Sequence, residues 1–110
     1  MLLREQQCSV CHKGAPAVTP AEQPGLLKGI PLWTIVHEDG QPRLSRSFEF
    51  SDYKQAMAFT NRVAELAEQE NHHPQMVIEW GKVTVSWWTH VIEGLHENDF
   101  ILAAKTDFLQ

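Results

Sequence analysis

The chain has 110 residues, of which 43% are hydrophobic and 21% are charged, so it has enough apolar side chains for one core and is predicted to form a single folded domain. Nine basic and fourteen acidic residues give a net charge of −5. This balance argues against nucleic-acid binding through a basic surface and against docking on an anionic membrane. The longest apolar run is too short to cross a bilayer and no signal peptide is recognisable, so we predict a cytoplasmic protein.

The first part of the chain is punctuated by glycine and proline and lacks the periodicity of a helix or a strand. We predict a flexible leader over residues 1–18 and a single domain over residues 19–110. The leader contains Cys8-x-x-Cys11-His12, a spacing shared by covalent haem attachment and by part of a zinc site. Haem attachment requires export and structural zinc requires four ligands, so we expect two reduced thiols. Metal binding by these residues and a further histidine is the alternative.

The domain opens with a short helix, predicted from Thr19-Pro20-Ala21-Glu22, in which the threonine can cap the helix and the glutamate can complete a capping box. Pro24 removes a backbone donor and limits this helix to two turns. Residues 32–37 are rich in Trp, Thr, Ile and Val and predict a strand. The Asp-Gly turn in residues 38–41 and the alternating pattern of residues 43–50 complete an antiparallel hairpin.

The strongest pattern in the chain is helical and runs from Tyr53 to Glu70. At about 100° per residue, its apolar side chains fall within roughly half of the circumference. Phe59, Val63 and Leu66 lie on that arc and should be buried against a sheet. The helix must end before the residue that precedes Pro74, because a proline biases its predecessor toward extended geometry.

A second hairpin is predicted from residues 76–80 and 83–89, and a last helix from residues 97–108, with Phe100 and Phe108 on its apolar face. Short turns within each hairpin demand antiparallel pairing, and the helices need one apolar sheet face to cover. The predicted fold class is α+β. It is a four-stranded antiparallel sheet with helices packed on one face, in the order α-β-β-α-β-β-α.

Histidines are the most informative residues for function. His72-His73-Pro74 follows the long helix, and His90 ends a strand. Imidazole gives and takes a proton near neutral pH, so two histidines in one cleft would form an acid and base pair that moves water on or off a substrate. The alternative is that the first two are solvated loop residues and the third lies at a strand end without a catalytic role.

Two further features have both a functional and a structural interpretation. Asp99 and Glu97 precede an apolar helix, where a carboxylate can be functional or can simply complement the helix dipole. Four tryptophans could stack on a planar ligand, although tryptophans more often belong to cores or interfaces: Trp33, Trp80, Trp87 and Trp88.

One set of spaced residues carries a resemblance to a known family. Its members are Glu68, His72-His73-Pro74, Trp80, His90 and Asp99. In this spacing the chain resembles the pterin-4a-carbinolamine dehydratases, and the likeness covers about residues 20–109. Residues 93–96 depart from the family's usual Gly-Gly-Leu-Thr, so His96 or Asn98 is expected to cap the last helix.

The resemblance implies dehydration of a 4a-hydroxytetrahydropterin to the quinonoid dihydropterin, with no metal or other cofactor required. It implies catalytic roles for His72, His73 and His90, of which the first and third would be the principal acid and base pair. It also implies supporting or substrate-binding roles for three more residues: Asp99, Glu68 and Trp33.

The resemblance also implies partners. The chain would act on a small-molecule pterin, form a homodimer or a homotetramer, and recycle the pterin cofactor of an aromatic amino acid hydroxylase. A non-catalytic dimerisation or protein-interaction module of the same fold is the alternative function.

Overall fold

The structure is a computed structural model that describes residues 3–5, 17–92 and 94–110, except for the side chain of His90. It contains three α-helices and four strands in these ranges: α1 (Gln23–Leu27), β1 (Thr34–Glu38), β2 (Gln41–Glu49), α2 (Tyr53–Glu70), β3 (Gln75–Glu79), β4 (Lys82–Trp87) and α3 (Glu97–Asp107). Two short 3₁₀ helices accompany them, at Leu3–Glu5 and His90–Ile92.

The four strands form one antiparallel sheet in the order β1-β2-β4-β3. Leu44 pairs with Trp87 across the two central strands, and both side chains are fully buried. α2 packs on β3 and β4, and α3 packs on β2 and β4. The predicted α+β architecture is therefore confirmed, including its element order and the placement of the helices.

Turn chemistry sets the first hairpin. Asp39 and Gly40 have φ angles of 53° and 77°, which is the pair of left-handed conformations that a two-residue hairpin turn needs. Thr34 to Glu38 then pairs with Gln41 to Ser45 without interruption. The Asp-Gly prediction is confirmed.

The short first helix differs from its prediction. It begins at Gln23, four residues after Thr19, and places Pro24 in its first turn, where a missing N–H costs no hydrogen bond. The contact predicted between Thr19 and Glu22 is present, since Thr19 donates through its backbone N–H and its hydroxyl to the Glu22 carboxylate, at 3.0 and 2.9 Å. These two hydrogen bonds lower the pKa of Glu22, and the bond from the backbone N–H has the larger effect.

The long helix matches its prediction in bounds and largely in orientation. Phe59 and Val63 are fully buried, and Leu66 is partly buried against the core. Tyr53, in the first turn of the same helix, is half exposed. The apolar arc thus locates the middle of the helix correctly.

The last helix is buried on almost every side, since every residue from Asn98 to Ala104 is buried. It contacts the sheet and also residues 3–5. Phe108 was expected on its apolar face, but the helix ends one residue earlier and this ring is 66% exposed. The Arg4 guanidinium lies 4.5 Å from the centroid of the Phe108 ring.

The described part of the N-terminal segment contacts the domain. Leu3 is partly buried against the core, and the Arg4 carbonyl accepts a hydrogen bond from Lys105 Nζ at 3.0 Å. The Val18 N–H donates to the Leu95 carbonyl at 2.8 Å. The boundary predicted between residues 18 and 19 stays a prediction, and removal of the segment would remove these contacts. Cys8, Cys11 and His12 lie outside the described residues.

Replacement of Phe59 by alanine tests the packing of α2. The ring is fully buried and lies 4.6 Å from Phe48 and 5.1 Å from Phe50, centroid to centroid. Phe59→Ala should lower the free energy of unfolding by about 3–5 kcal/mol in urea denaturation. Tyr53→Ala on the same helix is the matched control and should change it by about 0.5 kcal/mol or less. Equal effects from both variants would contradict the assigned burial.

Candidate active site

The end of α2 fixes the position of His72. Asn71 adopts a left-handed conformation with φ 50°, which asparagine tolerates better than most residues. Its N–H bonds to the Glu68 carbonyl, and the N–H of His72 bonds to the Ala67 carbonyl at 3.1 Å. This is a Schellman motif, in which the residue after the left-handed one is held against the last turn. The first site histidine is therefore part of the helix stop.

The His72 side chain turns inward and meets a buried carboxylate. Its Nε2 lies 2.8 Å from Asp99 Oδ1, and the imidazole is only 10% exposed. The ring also stacks on Trp87, with centroids 6.0 Å apart and planes 23° apart. Imidazole and carboxylate are thus held together away from bulk water, although 27 residues separate them in the sequence.

Asp99 is fully buried and gathers hydrogen bonds from three parts of the chain. Its Oδ2 accepts from the Thr89 hydroxyl at 2.8 Å and from the His96 backbone N–H at 2.9 Å. His96 in turn accepts the Asn98 N–H on Nδ1 at 3.0 Å and so caps α3. One of the two expected caps is confirmed, and Asp99 serves both the helix start and the histidine.

His73 points to a different environment. Its Nε2 lies 2.6 Å from Glu68 Oε1, and the two side chains are 57% and 79% exposed. The two adjacent histidines thus each have a carboxylate partner, one buried and one in solvent. Glu97, the other carboxylate considered near Asp99, is exposed in the first turn of α3.

The structure describes the backbone of His90. It begins the 3₁₀ helix His90–Ile92, and its side chain lies outside the described residues. Its neighbour Thr89 bonds to Asp99, which bonds to His72. The chain at His90 is therefore tied to the first histidine through one threonine and one carboxylate.

Trp33 has its described contacts in another part of the core. It is buried, its Nε1 donates to Asp107 Oδ1 at 2.8 Å, and its ring meets Phe48 edge-on at 6.0 Å. Asp107 ends α3, whereas Asp99 lies in its first turn. A role for Trp33 toward the pterin stays a prediction.

Sequence reasoning did not assign Thr89 a role in the site. Its hydroxyl is one of the two donors on Asp99 Oδ2, and the residue is 1% exposed. The available signal was a hydroxyl residue placed directly before His90 at the end of a strand. A buried hydroxyl needs a partner, which makes such a residue a candidate to support a nearby carboxylate.

In the part of the chain that the structure describes, no group of three or more His, Cys, Asp and Glu side chains could hold a metal ion. Within the same residues, none of the helices has the length and apolar character needed to cross a membrane.

Comparison with known proteins assigns the chain to a family. A family model described as pterin 4 alpha carbinolamine dehydratase matches residues 16–109. The chain belongs to this family. The match confirms the family resemblance that was inferred from the histidine and carboxylate spacing. The pterin-4a-carbinolamine dehydratases are hydro-lyases.

Members of the dehydratase family match at high identity. A protein of Marinobacter nauticus, provisionally named a pterin-4-alpha-carbinolamine dehydratase, is 56% identical over 107 residues, which cover 97% of this chain and 96% of that protein. A solved structure titled a transcriptional coactivator/pterin dehydratase from Brucella melitensis is 31% identical with a TM-score of 0.78, and the match covers 86% of this chain and 98% of that one.

A second solved structure widens the range of roles seen on this fold. It is titled a pterin dehydratase-like protein identified as a RuBisCO assembly factor in the alpha-carboxysome. It is 28% identical with a TM-score of 0.59, and the match covers 70% of this chain and 87% of that one.

Removal of each carboxylate in turn should show that the buried pair stabilises the fold more than the exposed pair does. Asp99→Ala leaves buried donors on Thr89, His96 and His72 without a partner, and should lower the free energy of unfolding by about 1–3 kcal/mol. Glu68→Ala breaks a solvent-exposed pair and should cost about 1 kcal/mol or less. Urea denaturation of both variants measures the difference. A larger loss for Glu68→Ala would contradict the central place of Asp99.

Proposed function

We propose that this chain dehydrates a 4a-hydroxytetrahydropterin to the quinonoid dihydropterin by acid and base catalysis on histidines. The hydroxyl at C4a is a poor leaving group until an acid protonates it. The N5 lone pair then expels water, and the N5 proton passes to a base. One hydroxyl and one proton leave as water, so the step needs no redox partner.

The observation that carries the proposal is the pairing of His72 with buried Asp99 at 2.8 Å. A carboxylate accepts hydrogen bonds and cannot donate one, so Nε2 of this histidine carries a proton. The other ring nitrogen, Nδ1, is then the atom that takes or gives a proton during turnover. A carboxylate that orients an imidazole in this way is a recurring device in proton-transfer enzymes.

The remaining residues follow from the family motif and their surroundings. His90 would be the second member of the acid and base pair with His72. His73, more exposed and paired with Glu68, would bind and orient the pterin or share the proton work. Asp99 and Glu68 would be supporting residues.

The metabolic setting is part of the same proposal. Such an enzyme, located in the cytoplasm, would restore the pterin released by an aromatic amino acid hydroxylase, and would act as a homodimer or homotetramer. Size-exclusion chromatography with light scattering measures the oligomeric state directly.

A second candidate function is protein interaction without turnover. Two observations favour it. Val77 and Trp80, on or next to the edge strand β3, are 49% and 69% exposed. In addition, the similar fold is titled an assembly factor in one solved structure and a coactivator as well as a dehydratase in another. An interaction module does not require a buried imidazole–carboxylate pair, which is why the dehydratase is the first choice.

Turnover of freshly generated 4a-hydroxytetrahydropterin, followed by its absorbance, distinguishes the two functions. His72→Gln keeps a donor toward Asp99 but cannot exchange a proton, and should lower kcat by about 10²–10⁴-fold, as should His90→Ala. His37→Ala is the control, because this histidine is exposed on β1, at the far edge of the sheet. Its rate should equal that of the unmodified chain.

The double variant gives the decisive result. If His72→Gln, His90→Ala dehydrates the carbinolamine at the unmodified rate while circular dichroism shows it folded, histidine catalysis is wrong. If the unmodified chain shows no turnover at all, the interaction module is the better assignment.

A further inference from the structure

Asp99 Oδ2 carries two donors, the Thr89 hydroxyl at 2.8 Å and the His96 N–H at 2.9 Å. Asp99 Oδ1 is thereby the oxygen that meets His72 Nε2, at 2.8 Å. The two oxygens of this buried carboxylate therefore have different hydrogen-bond partners. Which oxygen faces His72 depends on the donors that hold Oδ2. The His96 N–H is fixed by the start of α3, whereas the Thr89 hydroxyl comes from the segment that follows β4.

We propose that Thr89 is a positioning residue for the dehydration, which holds Asp99 in the rotation that keeps His72 in its Nε2–H form. The inference rests on the proposed function, because it concerns how that histidine is prepared for proton transfer. Thr89 has no assigned contact with the substrate. It acts through Asp99.

The backbone contacts of Thr89 fix the position of its hydroxyl group. The residue is 1% exposed and stands two residues after the end of β4. Its backbone N–H donates to the Gly94 carbonyl at 2.8 Å, and its own carbonyl accepts from Ile92 and Gly94, both at 3.3 Å. The backbone is therefore closed into a loop, and the hydroxyl is left to donate to Asp99, which as a carboxylate can only accept.

Thr89 also fixes the backbone position of the second histidine, His90. His90 follows Thr89 directly, and the loop that carries it is closed by the Thr89 backbone bonds to Ile92 and Gly94. The Thr89 hydroxyl bonds to Asp99, which bonds to His72. The Thr89 backbone holds the chain at His90. A single residue thus relates the two members of the proposed acid and base pair.

Isosteric removal of the hydroxyl tests the proposal. Thr89→Val keeps the shape of the side chain but leaves Oδ2 with one donor, so the carboxylate can rotate and His72 loses its fixed partner. We expect kcat to fall about 10–100-fold, by analogy with the loss seen when the hydrogen-bond partner of a metal-bound histidine is removed, with KM changed less than kcat. Thr89→Ser restores the hydroxyl and should restore most of kcat. Thr89→Ala, which adds no bulk, serves if the valine variant does not fold.

A spectroscopic readout separates positioning from general destabilisation. Imidazole ¹⁵N chemical shifts of His72 should show the Nε2–H tautomer in the unmodified chain and in Thr89→Ser, and a mixture of tautomers in Thr89→Val. Thr60→Val is the matched control, because Thr60 is also buried but its hydroxyl donates to the Ala56 carbonyl within α2 at 2.9 Å. It should leave both the tautomer and kcat unchanged.

The outcomes are distinguishable from failure of the proposed function. If His72→Gln abolishes turnover but folded Thr89→Val, or Thr89→Ala in its place, keeps the unmodified kcat, the role of Thr89 is wrong and histidine catalysis stands. A fall in kcat without a change in the His72 tautomer, or without rescue by serine, also overturns the positioning role. If His72→Gln itself keeps full activity, the proposed function fails first.

Discussion

The site depends on one buried carboxylate. Asp99 is inaccessible to water, and an ionised carboxyl group in that position is very unfavourable unless hydrogen bonds replace its hydration. The donors that replace it come from the loop after α2, from Thr89 beyond the end of β4 and from the residue that caps α3. Each of these segments must reach its place before the charge is satisfied. Formation of the site and completion of the fold are therefore the same event at this position.

This carboxylate also resolves the two interpretations that its sequence position allowed. An acidic residue in the first turn of a helix is favourable for the helix dipole and for capping, and Asp99 does accept the His96 N–H as a capping box requires. Its other oxygen is free for His72 because the cap uses only one. The structural and the functional interpretations are compatible, since a carboxylate has two oxygens.

Periodicity predicted those parts of the fold that local patterns determine. The alternating strands, the Asp-Gly turn and the bounds of α2 follow from side-chain spacing over many residues, so they appear where expected. The short α1 is set by one proline and a few contacts, and Phe108 is exposed because α3 ends before it. The contact between His72 and Asp99 joins segments far apart in the chain, so spacing alone could not predict it. The family resemblance implied a supporting or substrate-binding role for Asp99, but not which residue it contacts.

His72 and His73 show how two identical side chains acquire different chemistry from their neighbours. The helix stop at Asn71 holds the first against α2, and its ring turns inward onto Trp87 and Asp99. The second precedes Pro74, extends away and pairs with Glu68 in solvent. An exposed ion pair is screened by salt, whereas a buried hydrogen bond is screened far less. The inner histidine therefore keeps its orientation under conditions that loosen the outer one.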